Sequence, residues 1–179
     1  MNLQRQLLEE SLEIVKPNAS EFSSLFYKRL FEDYPETKPL FAQTNLEKQE
    51  KKLIASLVLI VENLRSPEAL QEALKSLGAR HYQLGTLEEY YPMVGDALLK
   101  TFKAYLGEKW TQDREKAWIY AYSVICTLML EGADSPEAYL DGELTFYEWL
   151  DLYGEYDPAL MKTIAELTRF KYTKQKKSN

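Results

Sequence analysis

The chain is poor in the residues that usually carry chemistry. Its 179 residues include one cysteine, Cys126, and one histidine, His81. One cysteine cannot close an internal disulfide, so the cysteine content does not point to an oxidising compartment. It also excludes a cysteine-rich zinc site. One histidine likewise excludes a His-x-x-x-His metalloprotease site and any multi-histidine metal cluster. Glycine is scarce, at 7 of 179 residues, below the ~7% of average proteins. Few tight turns follow, which argues against many-stranded sandwiches and barrels. Basic residues do not dominate: the net charge is −6, which argues against a broad nucleic-acid footprint. The longest apolar run, Leu57-Val58-Leu59-Ile60-Val61, falls far short of the ~20 residues that span a bilayer. Residues 1–16 carry Glu9, Glu10 and Glu13 and no secretory pattern. The expectation is a soluble cytoplasmic chain with neither nucleic acid nor membrane as partner.

What the chain does have is helical periodicity. Leu7, Leu8, Leu12 and Val15 form one stripe, broken at Pro17-Asn18, where Asn18 or Ser20 can cap the next helix. That helix carries Phe22, Leu25, Phe26 and Leu30 and stops near Tyr34-Pro35. An irregular connection to Asn45 follows. A long helix over 46–64 points Leu53, Leu57, Ile60, Val61 and Leu64 inward. Ser66-Pro67-Glu68-Ala69 is a helix-start signal. The helix it opens has Leu70, Leu74, Leu77, His81 and Leu84 on one stripe and ends at Gly85-Thr86. Another runs over 88–106 to Gly107. Thr111 caps the next, through Trp118, Ala121, Tyr122, Ile125 and Met129 to Gly132. No strand shows convincing alternation, so the fold class is all-α.

His81 therefore sits on an apolar helix face. Two readings fit: a core histidine bonded to a carbonyl, or an axial ligand to a haem iron, which needs only one imidazole. Its surroundings favour the second. In order come Leu25-Phe26-Tyr27-Lys28-Arg29-Leu30-Phe31, Pro39-Leu40-Phe41, Gln49 and Leu53. Then follow Gly78-Ala79-Arg80-His81, Tyr91-Pro92-Met93-Val94-Gly95 and Ala117-Trp118-Ile119-Tyr120-Ala121-Tyr122. Over residues 5–132 this resembles the bacterial globins, in particular the haem domain of flavohaemoglobins and their single-domain relatives.

The resemblance implies a globin fold around haem b (iron protoporphyrin IX). His81 is then the proximal ligand, its other ring nitrogen held by a backbone carbonyl or another partner. Phe41 packs on the haem face and Val94 on the porphyrin edge. Tyr27 and Gln49 become the distal pair that stabilises bound O2, Leu53 the apolar distal wall, Tyr91 the proximal tyrosine, and Arg80 a propionate contact. Outside the resemblance, Tyr27 reads as a core aromatic and Gln49 as a solvated glutamine. Lys48 and Lys52 flank Gln49. They form a solvated face or a propionate contact, or else Lys52, Tyr27 or Gln49 closes on the iron when no gas is bound. The implied function is binding of O2, NO or other diatomic ligands, with conversion of NO to nitrate as the activity.

The chain departs from the family twice. The glutamate that pairs with the proximal tyrosine and histidine falls, without gaps, at Ala133, and Glu131 faces elsewhere on a regular helix. No flavin and nicotinamide reductase domain follows residue 132, and residues 133–179 hold no glycine-rich dinucleotide fingerprint, so turnover needs an external reductase. The division is thus a globin domain over 1–132 and a helical extension over 133–179. The extension repeats the start signal at Ser135-Pro136-Glu137-Ala138. It gathers Tyr139, Phe146, Tyr147, Trp149, Tyr153 and Tyr156 among acids, and ends in a helix from Asp157-Pro158 with a basic tail. It is read as a structural cap or homodimer contact; a gas sensor would use it to signal. A haemless globin-fold interaction module is a further alternative. A bilin-binding relative would need Cys126 exposed, and Cys126 reads as buried, inert core.

Overall fold

The structure, a computed structural model, describes residues 3–64 and 67–140. These residues form seven α-helices joined by short 3₁₀ turns: α1 (Leu3–Val15), α2 (Ala19–Asp33), α3 (Leu46–Glu62), α4 (Pro67–Gln83), α5 (Tyr90–Leu106), α6 (Gln112–Asp134) and α7 (Glu137–Leu140). Among the described residues no strand occurs. Most of the extension, residues 141–179, lies outside them, as does Ser66, so the readings made on those residues have no structural counterpart.

Local chemistry sets most boundaries. The Asn45 side chain accepts from the Lys48 backbone N–H at 3.0 Å and starts α3. The Thr111 hydroxyl does the same for Arg114 at 3.3 Å and starts α6. Gly85 and Gly107, with φ of 85° and 55°, follow α4 and α5 in a conformation that favours glycine. Asn18 holds the cap position of α2 but makes no side-chain cap bond. The connection after Tyr34, expected to be irregular, winds as a 3₁₀ helix over Pro35–Phe41. The end of α4 at Gln83 leaves Leu84 62% exposed, off the inner stripe.

Gly132 does not stop α6, which continues to Asp134. Its role is close approach: a Cβ there would collide with the Lys75 carbonyl on α4, and a Cβ on Gly78 of α4 would collide with the Met129 carbonyl on α6. Two glycines, one on each helix, let the two backbones touch.

The apolar interior forms two clusters. The larger gathers Phe22, Phe26, Leu30, Ile54, Phe102 and Trp118 among others; the Phe102 ring stacks on Trp118 at 4.2 Å and lies 4.7 Å from Phe22. The smaller holds Ile60, Leu70, Leu74, Leu77, Tyr91, Ile125 and Met129. At the surface, the Tyr34 hydroxyl donates to Asp96 at 2.6 Å, and Lys100 bridges Asp96 and Asp33 at 2.6 and 3.0 Å. These bonds tie the end of α2 to α5.

Candidate functional site

A cavity of about 940 Å³, open mouth included, is lined by members of both apolar clusters. Tyr27, Phe41, Gln49, Leu53, His81, Tyr91 and Val94 all line it. Arg80 does not; its guanidinium donates to Gln83 at 3.0 Å instead. On a helix, the residue next to an inward one is turned about 100° away.

One wall comes from α2 and α3. Gln49, Lys52, Leu53 and Ser56 line the cavity from α3, spaced i, i+3, i+4, i+7 on one helical face. Ser56 donates to the Lys52 carbonyl at 2.8 Å, so its hydroxyl is spent on its own helix. Tyr27 on α2 is 4% exposed and held edge-on by Phe26 and Phe41, at 4.9 and 5.6 Å between ring centres. Burial raises its pKa far above the ordinary tyrosine range, and a hydrogen bond from Gln49 opposes that rise. Gln49 thus stands beside the phenol on the same wall of the cavity.

The facing wall comes from α4, α5 and α6. His81 Nδ1 lies 2.9 Å from the Leu77 carbonyl. A carbonyl only accepts, so Nδ1 carries the proton and donates, and in the neutral ring Nε2 carries the lone pair. Burial pushes the His81 pKa below the ordinary histidine value, with the Leu77 bond opposing. The imidazole is thus neutral at neutral pH. A carbonyl-bonded core histidine would show the same bond; the cavity at its side sets His81 apart.

Tyr91 stands beside it, ring centres 6.5 Å apart. It is 7% exposed, and its buried hydroxyl has no hydrogen-bond partner among the described residues. Burial, with Cys126 nearby, pushes its pKa up to about 12. The Tyr122 hydroxyl donates to the Tyr91 carbonyl at 2.6 Å. Gly95 makes room for the Tyr122 ring, which a Cβ would strike. Cys126, expected to be buried, is only partly so; its thiol pairs with the Tyr122 side chain and is pushed up by burial. Glu131 faces Lys75 at 3.0 Å, at the surface.

Sequence reasoning passed over Thr86 and Tyr90, which line the cavity from the α4–α5 connection. A loop residue carries no periodic signal, and Tyr90 stands next to the more conspicuous Tyr91. Among the described residues, no helix is long and apolar enough to cross a membrane, and no three His, Cys, Asp or Glu side chains gather as a metal cluster.

Comparison with known proteins agrees with the fold. The globin family profile matches residues 24–129. A flavohemoprotein of Rhizobium meliloti is 34% identical over 106 residues, covering 58% of this chain and 26% of that one. A flavohemoprotein of Bacillus subtilis is 30% identical over 122 residues, covering 67% and 31%. The chain thus spans about a quarter to a third of the length of these curated relatives. Among solved structures, a bacterial globin of Campylobacter jejuni superposes with a TM-score of 0.67 at 30% identity, over 77% of this chain and 99% of that one. An engineered carbene transferase built on a candidate nitric oxide dioxygenase of Rhodothermus marinus gives 0.68 at 29% identity, over 79% and 99%. The chain belongs to the globin family.

Proposed function

We propose that this globin binds haem b in the cavity through His81 and binds O2, NO and other diatomic gases on the Tyr27 side. Its activity is conversion of NO to nitrate, consuming one O2 and one electron per NO, with the electron from a separate reductase. One observation carries this reading: a single cavity is lined by a carbonyl-bonded imidazole on one wall and a buried phenol on the other.

The lining fits the group. It is mostly apolar and aromatic, as a porphyrin face requires, and it bridges two clusters that a flat apolar ligand would join into one core. The chain itself gathers no metal-ligand cluster among the described residues, so a metal there must bring most of its own ligands, as a haem iron does. When bound, the haem would supply the iron that holds the gas and passes the electron.

The chain's own residues do the rest. Leu77 fixes the imidazole tautomer and orientation through Nδ1, so Nε2 presents its lone pair. Tyr27 directs its O–H toward the partial negative charge a held gas develops. Gln49 orients that phenol, and Leu53 excludes water, in whose absence each hydrogen bond is stronger. The curated relatives are flavohemoproteins, and one structural neighbour bears the dioxygenase description. Residues 133–179 act as a cap on the globin domain of residues 1–132 or as a homodimer contact; α7 packs on α4.

The test is NO consumption by the reduced, oxygenated protein with a flavin reductase supplied. The reading expects catalytic loss of NO with nitrate in equal yield. A single stoichiometric turnover with the reductase active would contradict it and favour the gas-sensor reading.

A further inference from the structure

Helix α6 is apolar on both of its sides. Residues 117–130 form a run of 14 without a charged side chain, in a chain that is 28% charged. The inner side packs on α1, α4 and α5 and buries Ala117, Trp118, Ile125 and Met129. The outer side leaves Ile119, Tyr120 and Val124 49%, 60% and 40% exposed. With Ser123 and Thr127, also exposed, they fall within about 140° of the helix circumference. Both hydroxyls are spent on the helix itself: Ser123 donates to the Tyr120 carbonyl at 2.7 Å and Thr127 to the Ser123 carbonyl at 3.0 Å. A helix apolar all round is ordinarily packed all round, and no described residue covers this face.

The chain carries a segment of matching pattern. Residues 141–179 lie outside those described, and their sequence spaces Phe146, Trp149, Leu150 and Tyr153 at i, i+3, i+4 and i+7, as on one helical face. Glu148, Asp151 and Glu155 fall off that stripe. The segment also starts in the right place. Helix α7 packs on α4, and its Tyr139 acts electrostatically on Lys75, the partner of Glu131 on α6. Thr127 is about one helical turn, or ~6 Å, before Glu131. Residues 141–145 span up to about 17 Å when extended, so the reach is ample. A tether this short gives a roughly millimolar effective concentration. A second copy has no such advantage, which favours the chain's own segment on a face of this size.

We propose that residues 146–153 lie along the outer face of α6 in the same chain, their apolar stripe on Ile119, Tyr120 and Val124. This rests on the reading of residues 133–179 as a cap and gives the cap its seat; the haem reading does not depend on it.

The test is amide hydrogen exchange on the full-length haem protein, with sedimentation. Residues 146–153 of the wild type should exchange more slowly than a free chain, in a protein that sediments as a monomer. The double variant Tyr120→Lys/Val124→Lys should speed that exchange about tenfold or more, the scale of burying one apolar side chain, with the Soret band and exchange in α3 unchanged. Trp149→Lys, outside the globin body, should do the same. Leu84→Lys, at another exposed apolar site (62%), should match the wild type. Protection that neither the double variant nor Trp149→Lys reduces, or that Leu84→Lys reduces equally, overturns this seat and keeps the cap. Free-chain exchange in the wild type overturns both. A dimer that the double variant dissociates also overturns the proposal and gives the face to a second copy.

Discussion

The two walls of the cavity each present a buried tyrosine, and the two are treated differently. On the α2–α3 wall, the Tyr27 oxygen is engaged by Gln49 and its ring is wedged between Phe26 and Phe41. On the α4–α5 wall, the Tyr91 hydroxyl is buried with no partner among the described residues. Hydrogen bonds contribute a modest net stabilisation, but an unmade one costs the whole desolvation of the group. The first wall therefore holds its phenol beside a polar side chain, in a fixed ring position, before any ligand arrives. The second holds a neutral imidazole against a carbonyl and keeps a polar atom in reserve.

The largest test of this contrast acts on the backbone contact that places the second wall. Gly78→Ala sets a Cβ against the Met129 carbonyl, and backbone cannot yield as a flexible side chain does. A loss of about 1–3 kcal/mol of folding stability is expected, as for overpacking, read as a lower denaturation midpoint. Unchanged stability would mean that α4 and α6 are not in register here.

The tyrosines should then part company. Tyr27→Phe removes the donor and should raise the O2 dissociation rate of the haem-loaded protein roughly tenfold, for a bond worth about 1 kcal/mol or somewhat more where water is excluded. An unchanged rate would remove Tyr27 from the pocket. In the apoprotein the same change breaks the bond with Gln49 and should cost about 1 kcal/mol. Tyr91→Phe deletes an unpaired polar atom, so apoprotein stability should hold or rise by about 1 kcal/mol. Opposite signs in urea denaturation support the contrast, and equal losses break it.

The smallest effect is on pH. His81 has a folded pKa below the ordinary value, so the unfolded chain binds its proton first as the pH falls. The stability this group contributes is complete above its unfolded pKa of about 6.5 and is lost as pH drops toward the lower folded value. Apoprotein should lose stability below about pH 6.5, and His81→Gln should remove that component. An identical acid slope in both proteins would show that the ring is not held neutral.

Much of this was legible in the sequence because it rests on spacing. The stripe through Leu70, Leu74, Leu77 and His81 places the histidine inward by helical register alone. The motif order brought Tyr27, Phe41, Gln49, Leu53, Tyr91 and Val94 to one cavity. What spacing does not encode was missed. Gly132 looks like a helix stop in one dimension, and only the neighbouring helix shows that it is a contact. Arg80 is beside His81 in sequence, and the turn of the helix carries it away from the cavity.

The central claim is that His81 holds a haem iron in this cavity, and an absorption spectrum tests it most directly. Protein expressed with haem supply should be coloured with a Soret band, and His81→Ala should lose or displace that band while remaining helical by circular dichroism. Wild-type protein that stays colourless and takes up no haem, or a His81→Ala spectrum identical to wild type, would contradict the account.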